Sequence, residues 1–326
     1  MTLNEVLLKI SNLKTYFFNE KGAVKAVDGV SFHVKKGETF GIVGESGSGK
    51  TVTSLSILRL VPPLEGRIVD GEILYKGRDI LKMSEKEMQK LRGRYITMVP
   101  QDPMTSLNPV FTIGNQIGEA FRIHQNVSRN HLINKVIDML RLVHIPSPEQ
   151  RLNEYPHQFS GGMRQRAMIA MSLSCQPELI IVDEPTTALD VTIQAQILKL
   201  LKEIQGRFHT SIILITHDLG IVAGMCSRVA VMYAGRIVEQ ADVRTIYKNP
   251  RHPYTRGLIQ SVPKIGALQK RLFMIEGQPP DLLRLPTGCR FSPRCPYRKE
   301  QCQEEEPKTE TVGPDHQVCC FRWREL

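Results

Sequence analysis

The chain has 326 residues, with 43 Lys and Arg against 33 Asp and Glu, a formal net charge of +10, 41% hydrophobic residues and seven cysteines. That length exceeds the usual single core, so two domains, or one large domain with an appendage, are expected. The balance of apolar and charged residues excludes a disordered or collagen-like chain. No apolar run approaches the ~18 residues of a membrane-crossing helix. Residues 1–10 lack the zones of a signal peptide. A cytosolic chain is therefore expected, its cysteines free, metal-bound or catalytic rather than disulfide-paired. The charge divides into +6 over residues 1–250 and +4 over residues 251–326, with no single basic block, which weakens a nucleic-acid reading.

Taken in chain order, residues 6–43 read as short strands at 6–10, 30–34 and 39–43, with a polar turn at 19–22. Gly66, Gly71 and Gly77 punctuate a hairpin-like segment over 67–80. Ser84 with Glu87 three residues on is a capping box for a short helix. Residues 128–143 place Leu132, Ile133, Val136, Ile137 and Leu140 on one helical face, within a helical insertion between about residues 101 and 165. The β/α alternation resumes with buried strands at 179–182 and 211–215. Between them lies a helix with Ile193, Ile197, Leu200, Leu201 and Ile204 on one face. Residues 229–233 and 235–238 read as a hairpin. The core is thus α/β with a helical insert. After Asn249-Pro250, prolines from Pro253 and Pro263 onward interrupt helical runs, and five of the seven cysteines follow. This reads as a separate, loop-rich appendage.

Gly44-Glu45-Ser46-Gly47-Ser48-Gly49-Lys50-Thr51 matches G-x-x-x-x-G-K-[ST], between a strand and an apolar segment able to form a helix. The glycines let successive N–H groups turn inward onto phosphate oxygens, aided by the positive end of the following helix. Lys50 is expected to reach the β- and γ-phosphates and Thr51 to ligate Mg²⁺. The apolar strand at 179–182 then delivers Asp183 and Glu184 at its C-terminal tip, where open parallel sheets bind ligands. Asp183 suits Mg²⁺ held through water, and Glu184 suits a general base for the attacking water.

A third motif narrows this nucleotidase reading. Phe159-Ser160-Gly161-Gly162-Met163-Arg164-Gln165 resembles the signature of ABC-transporter ATPases, usually written L-S-G-G-Q. Gln101 resembles the Q-loop glutamine, Ala188-Leu189-Asp190 the D-loop, and His217 the switch histidine. Phe17, or else Tyr16, stands where the family stacks an aromatic on adenine. The resemblance implies an α/β P-loop NTPase core with an N-terminal antiparallel β subdomain, a helical insertion and a C-terminal cysteine extension. It implies ATP bound by Phe17, residues 44–51, and Ser160, Gly161, Gly162 and Asp190, with Ser160 and Gly162 capping the nucleotide of the opposite subunit. Catalysis would fall to Lys50, Gln101, Glu184 and His217, and Mg²⁺ to Thr51, Gln101 and Asp183. Met163 departs from the usual glutamine, a mark of the peptide-permease branch.

Asn249-Pro250-Arg251-His252-Pro253-Tyr254-Thr255 and Gly288-Cys289-Arg290-Phe291-Ser292-Pro293-Arg294-Cys295-Pro296 resemble the extension of ATPase subunits from dipeptide, oligopeptide and nickel permeases. Residues 1–255 are accordingly expected to form the ATPase domain, with a helical subdomain at about 102–165, and residues 256–326 the extension. By spacing alone Cys289, Cys295, Cys302 and Cys320 are a possible metal site, suiting Zn²⁺ or a [4Fe–4S] cluster. Some members of the family carry the cluster, which the resemblance therefore favours. Cys319 and His316 stand as alternatives to Cys320, and Arg290, Arg294, Arg298 and Lys299 are placed to offset the cluster's charge.

The implied function is the ATP-hydrolysing subunit of a di- or oligopeptide importer, peripheral on the cytoplasmic membrane face. It would pair with itself or a sister ATPase and drive two transmembrane permease subunits, served indirectly by an extracellular peptide-binding protein. Nickel import is an alternative cargo. A soluble ABC ATPase of DNA repair or translation is disfavoured because only one phosphate loop and one signature occur, so no nucleic-acid partner is expected. An iron–sulfur regulator with a vestigial nucleotide site is disfavoured by intact Lys50, Asp183, Glu184 and His217.

Overall fold

A computed structural model describes residues 5–125, 127–187, 189–262 and 273–326. Ala188 of the D-loop and Pro263 lie outside the described residues. The strands are β1 (Val6–Asn19), β2 (Gly22–Lys35), β3 (Thr39–Val43), β4 (Gly66–Tyr75), β5 (Arg78–Asp79), β6 (Ile96–Val99), β7 (Leu179–Asp183), β8 (Ser211–Thr216), β9 (Arg228–Tyr233), β10 (Arg236–Asp242), β11 (Glu310–Gly313) and β12 (His316–Val318). The chain divides into two compact units, one built mainly from Lys82–Leu214, the other from Val6–Val34, Thr39–Leu81 and Ile215–Leu326.

In the second of these, β2, β1, β4 and β5 form a sheet in that order. The sequence reading ends its first strand at Ile10, but β1 runs on to Asn19. The alternation is broken at Asn12, whose φ is +49°, and the β1/β4 register shifts between Ser11 and Thr15. This is a bulge, an extra residue that bends a strand without ending it. Gly71 of β4 crosses it so closely that a Cβ there would lie 2.6 Å from the Leu13 Cα.

The same unit holds the run β11-β12-β10-β9-β3. β3 pairs parallel with β9, and both strands are buried along their whole length, as expected of continuous apolar runs covered on both faces. The extension is not a separate appendage. β12 pairs antiparallel with β10, and Phe291 is buried with its ring 5.2 Å from Tyr233 and 5.4 Å from Tyr254. Pro253 starts a helix, Pro253–Gln260, rather than interrupting one, because a proline at the first turn loses no hydrogen bond. Glu239 is wholly buried and knits these pieces together. It accepts from the amides of Arg251 (2.7 Å) and His252 (2.9 Å) and pairs with the His316 ring at 2.8 Å. Burial alone would raise its pKa, but these bonds outweigh burial and hold the carboxyl below its ordinary value.

The Lys82–Leu214 unit contains β6 paired parallel with β7 and the helices Glu85–Leu91, Ile113–Gln125, Arg129–Leu142, Gly161–Leu173 and Val191–Phe208. Ser84 and Glu87 form the expected capping box. Of the face read over 128–143, Val136 and Leu140 are buried, whereas Ile133 is 49% exposed. It lies in an open groove with Val127 and Leu132.

Candidate functional site

The phosphate loop leaves β3 and enters the helix Lys50–Ile57. Its glycines are sterically required. A Cβ at Gly44 would lie 2.2 Å from the Met232 carbonyl oxygen, and one at Gly49, where φ is +101°, 2.2 Å from that of Ala26. Lys50 is buried and its Nζ donates to the carbonyls of Gly44 (2.8 Å) and Glu45 (3.0 Å), folding the ammonium over the loop that precedes it. Gly47 and Ser48 continue the turn, with the Ser48 amide donating to the Glu45 carbonyl at 3.2 Å. Ser46 and Thr51 are exposed, Thr51 on the first helical turn.

Thr15 of β1 shares a hydrogen bond with Ser56 of that helix at 2.8 Å. Phe17, two residues on and therefore on the same strand face, packs against Gly66, since a Cβ there would lie 2.8 Å from its ring. Tyr16 points the other way and donates to Asp28 at 2.7 Å. Burial and the Asp28 carboxylate push the Tyr16 pKa up to about 12. His217 follows β8 and is exposed, and the next residue, Asp218, caps the helix Leu219–Met225.

In the Lys82–Leu214 unit, β7 ends on buried Asp183, and Glu184 follows with φ +44°, a left-handed conformation costly for a residue with a side chain. Its Oε2 accepts from Gln101 Nε2 at 3.0 Å and from the Thr187 hydroxyl at 3.1 Å. Two residues singled out 83 positions apart thus come together. Thr187 was not legible in the sequence, because a threonine after a turn carries no motif of its own. Ser160 caps the helix Gly161–Leu173 by accepting from the Met163 amide at 3.3 Å. Asp190 caps Val191–Phe208 by accepting from the Ile193 amide at 2.9 Å. The two caps lie close, since a Cβ at Gly162 would stand 2.8 Å from Ile193 and one at Gly161 3.5 Å from Leu189.

Cys289, Cys295, Cys302 and Cys320 line one cavity, together with Phe291, Tyr297 and Arg322. Gly288 brings the first and third of them together. A Cβ there would lie 2.5 Å from the Cys302 carbonyl oxygen, and the Cys289 amide donates to that oxygen at 2.8 Å. Burial pushes the Cys289 thiol up to about 12 and that of Cys320 to about 11, and raises Cys295 as well. The two alternatives to Cys320 are engaged elsewhere. Cys319 donates its thiol to the Pro307 carbonyl at 2.9 Å, and His316 pairs with Glu239. Among the described residues no three His, Cys, Asp or Glu side chains are arranged to hold a single metal ion.

Of the four cations expected to offset the cluster's charge, Arg298 does act on the cysteines, favouring the Cys295 thiolate electrostatically, whereas the other three are engaged with carboxylates. Arg290 pairs with Asp28 and Glu306, Arg294 with Glu45 at 2.8 Å and Lys299 with Glu325 at 2.9 Å. Each is committed to a carboxylate that the sequence places far from it or on another element. The cation lining the cavity is Arg322, whose Nη1 donates to the Tyr297 carbonyl at 2.8 Å. At Asp28 burial alone would raise the pKa, but the hydroxyl of Tyr16 and the guanidiniums of Arg290 and Arg236 outweigh it and hold the carboxyl below its ordinary value.

Comparison with known proteins agrees with this layout. Residues 27–187 match the family model described as ABC transporter, and residues 238–302 that described as oligopeptide/dipeptide transporter, C-terminal region. The chain is 54% identical over 323 residues to the "Probable peptide ABC transporter ATP-binding protein y4tR" of Sinorhizobium fredii, covering 99% of this chain and 96% of that one. It is 52% identical over 317 residues to the dipeptide transport ATP-binding protein DppD of Bacillus subtilis, covering 97% and 95%. A solved dimeric structure of MJ0796, a bacterial ABC transporter cassette, superposes with a TM-score of 0.65 at 25% identity, covering 73% of this chain and 99% of that one. Among the described residues no helix is long and apolar enough to cross a membrane. With its phosphate loop, its capped signature helix and its matched C-terminal region, the chain belongs to the ABC transporter ATP-binding family, in the branch that carries the oligopeptide/dipeptide transporter C-terminal region.

Proposed function

We propose that this chain is the ATPase subunit of a peptide importer, held peripherally on the cytoplasmic face of the membrane by a pair of permease subunits and fed by an extracellular peptide-binding protein. The observation that carries the reading is the pairing of Gln101 with Glu184 at 3.0 Å on the tip of an apolar strand, in a chain that also has a sterically constrained phosphate loop. Residues 44–51 would cradle the phosphates, with Lys50 on the β- and γ-oxygens and Phe17 against adenine. Thr51, Gln101 and Asp183 would hold Mg²⁺, which neutralises phosphate charge. Glu184 would accept the proton of the water whose oxygen bonds to the γ-phosphorus as the bond to ADP breaks. His217 would steady the γ-phosphate. Residues 1–255 would act as the ATPase domain, with 102–165 as its helical part, and residues 256–326 as the extension.

Two surfaces support the proposed partners. Val191, next to the Asp190 cap, is 82% exposed, consistent with Ser160, Gly161, Gly162 and Asp190 facing a second ATPase subunit. Met104, Val110 and Phe111, following Gln101, are also exposed, which supports a permease contact sensitive to the Q-loop. The lining of one cavity by Cys289, Cys295, Cys302 and Cys320 supports a [4Fe–4S] cluster held by these four thiolates, with Zn²⁺ as the alternative. Its proposed role is structural, tying the extension's segments together. Detergent-solubilised membranes test the assembly: the chain should co-purify with two membrane permease subunits. Co-purification with nucleic acid instead would overturn the reading.

A further inference from the structure

Glu45, the second residue of the phosphate loop, is gripped twice, by Tyr254 at the end of the ATPase domain and by Arg294 of the C-terminal extension. Its amide donates to the Tyr254 hydroxyl at 3.0 Å, and its carboxylate accepts from Arg294 Nη1 at 2.8 Å. The Arg294 side chain is only 5% exposed and has little freedom. Its Nε donates to the Glu276 carbonyl at 3.0 Å, its Nη2 to that of Ile275 at 3.3 Å, and its Nη1 also reaches the Tyr233 hydroxyl at 3.3 Å. Gly277 closes on it from the other side, where a Cβ would lie 3.3 Å from the Arg294 Cγ. A guanidinium fixed at each nitrogen is a rigid template, so it can set the position of the one partner that sits on a loop.

That partner matters for phosphate binding. The Gly44 carbonyl, in the same peptide unit as the Glu45 amide that Tyr254 holds, accepts the Lys50 ammonium, and the Glu45 carbonyl accepts both that ammonium and the Ser48 amide, so the residue that Arg294 and Tyr254 hold also aligns the lysine and the turn behind it. We infer that the C-terminal extension completes the ATP site in its own chain, with Arg294 of the extension and Tyr254 of the ATPase domain acting as positioning residues that pre-form the phosphate loop through Glu45. The inference deepens the proposed role of residues 44–51 and rests on it. The residue after Arg294 is Cys295, which lines the cysteine cavity, so one short segment serves both the cavity and the loop.

The test is a double-mutant cycle on the full chain, read as the Kd of an N-methylanthraniloyl-labelled ATP with Mg²⁺. Arg294→Ala and Glu45→Gln should each weaken binding about tenfold, the weight of one charge-assisted hydrogen bond. The double variant should also lose about tenfold rather than a hundredfold, because the two groups act through one contact. Arg294→Lys should recover part of the loss, and Tyr254→Phe, which removes only the hydroxyl, should cost about threefold and serves if Arg294→Ala fails to fold. Wild-type affinity in Arg294→Ala or, should that variant not fold, in Tyr254→Phe would overturn the inference while leaving the ATP site intact. So would losses that multiply in the double variant. A wild-type chain that binds no ATP would instead overturn the ATP reading, and the inference with it.

Discussion

Glu184→Gln should lower steady-state ATP turnover by about 10²- to 10⁴-fold, the range expected when a positioned general base is removed. Glutamine keeps the size and polarity of the side chain and can still meet Gln101 and Thr187, which now hold Glu184 at 3.0 and 3.1 Å. ATP affinity should therefore change little. The substituted protein should stall with nucleotide bound and collect as a dimer with its partner ATPase subunit, visible by sedimentation in ATP and absent in ADP. The left-handed backbone at Glu184, φ +44°, predicts a further separation. Glu184→Gly should be inactive yet no less stable than the glutamine variant, because glycine relieves the backbone cost while removing the base. Turnover retained in Glu184→Gln would remove Glu184 from the base role.

Protein purified without oxygen should be brown and carry about four iron atoms per chain, as four cysteine thiolates around a cubane require. Cys302→Ser should be colourless and lose most of the iron, because Cys302 is buried in the extension and its carbonyl anchors the Cys289 amide. Cys319→Ser should keep the colour, since its thiol is turned to the Pro307 carbonyl at 2.9 Å. On the proposed cluster, the loss of metal should also lower the melting temperature, for the four proposed ligands come from segments with little regular structure, and metal binding to such segments is folding energy. Colourless wild-type protein with one zinc per chain would contradict this account, and colour lost with Cys319 rather than Cys320 would reassign the fourth ligand.

Much of the fold was legible because the signals were local. The capping box at Ser84, the buried strands β7 and β8 and the helix carrying Ile197, Leu200, Leu201 and Ile204 each follow from periodicity or from one hydrogen-bonding residue. The phosphate loop was legible because Gly44 and Gly49 answer a close approach of backbone and Gly47 a left-handed turn at φ +76°. What escaped was non-local. Nothing in the spacing of Glu45 and Arg294, 249 residues apart, tells that they pair. Once Arg290, Arg294 and Lys299 are seen to serve carboxylates, their supposed role beside the cysteines falls away. The extension looked separate because proline and cysteine hide its few aromatic anchors. Phe291 of the extension packs into a core that the rest of the phosphate-loop unit supplies, Tyr254 and Tyr233 among it.

The central claim is that ATP hydrolysis in this chain is harnessed to peptide import. The most direct measurement is the ATPase rate of the chain reconstituted in vesicles with its permease pair, its partner ATPase subunit and the extracellular binding protein, with and without a dipeptide or a short oligopeptide outside. The account predicts a rate that rises severalfold with peptide and is abolished by Glu184→Gln. A rate indifferent to peptides but raised by nickel, or raised by nucleic acid in the absence of membranes, would contradict it.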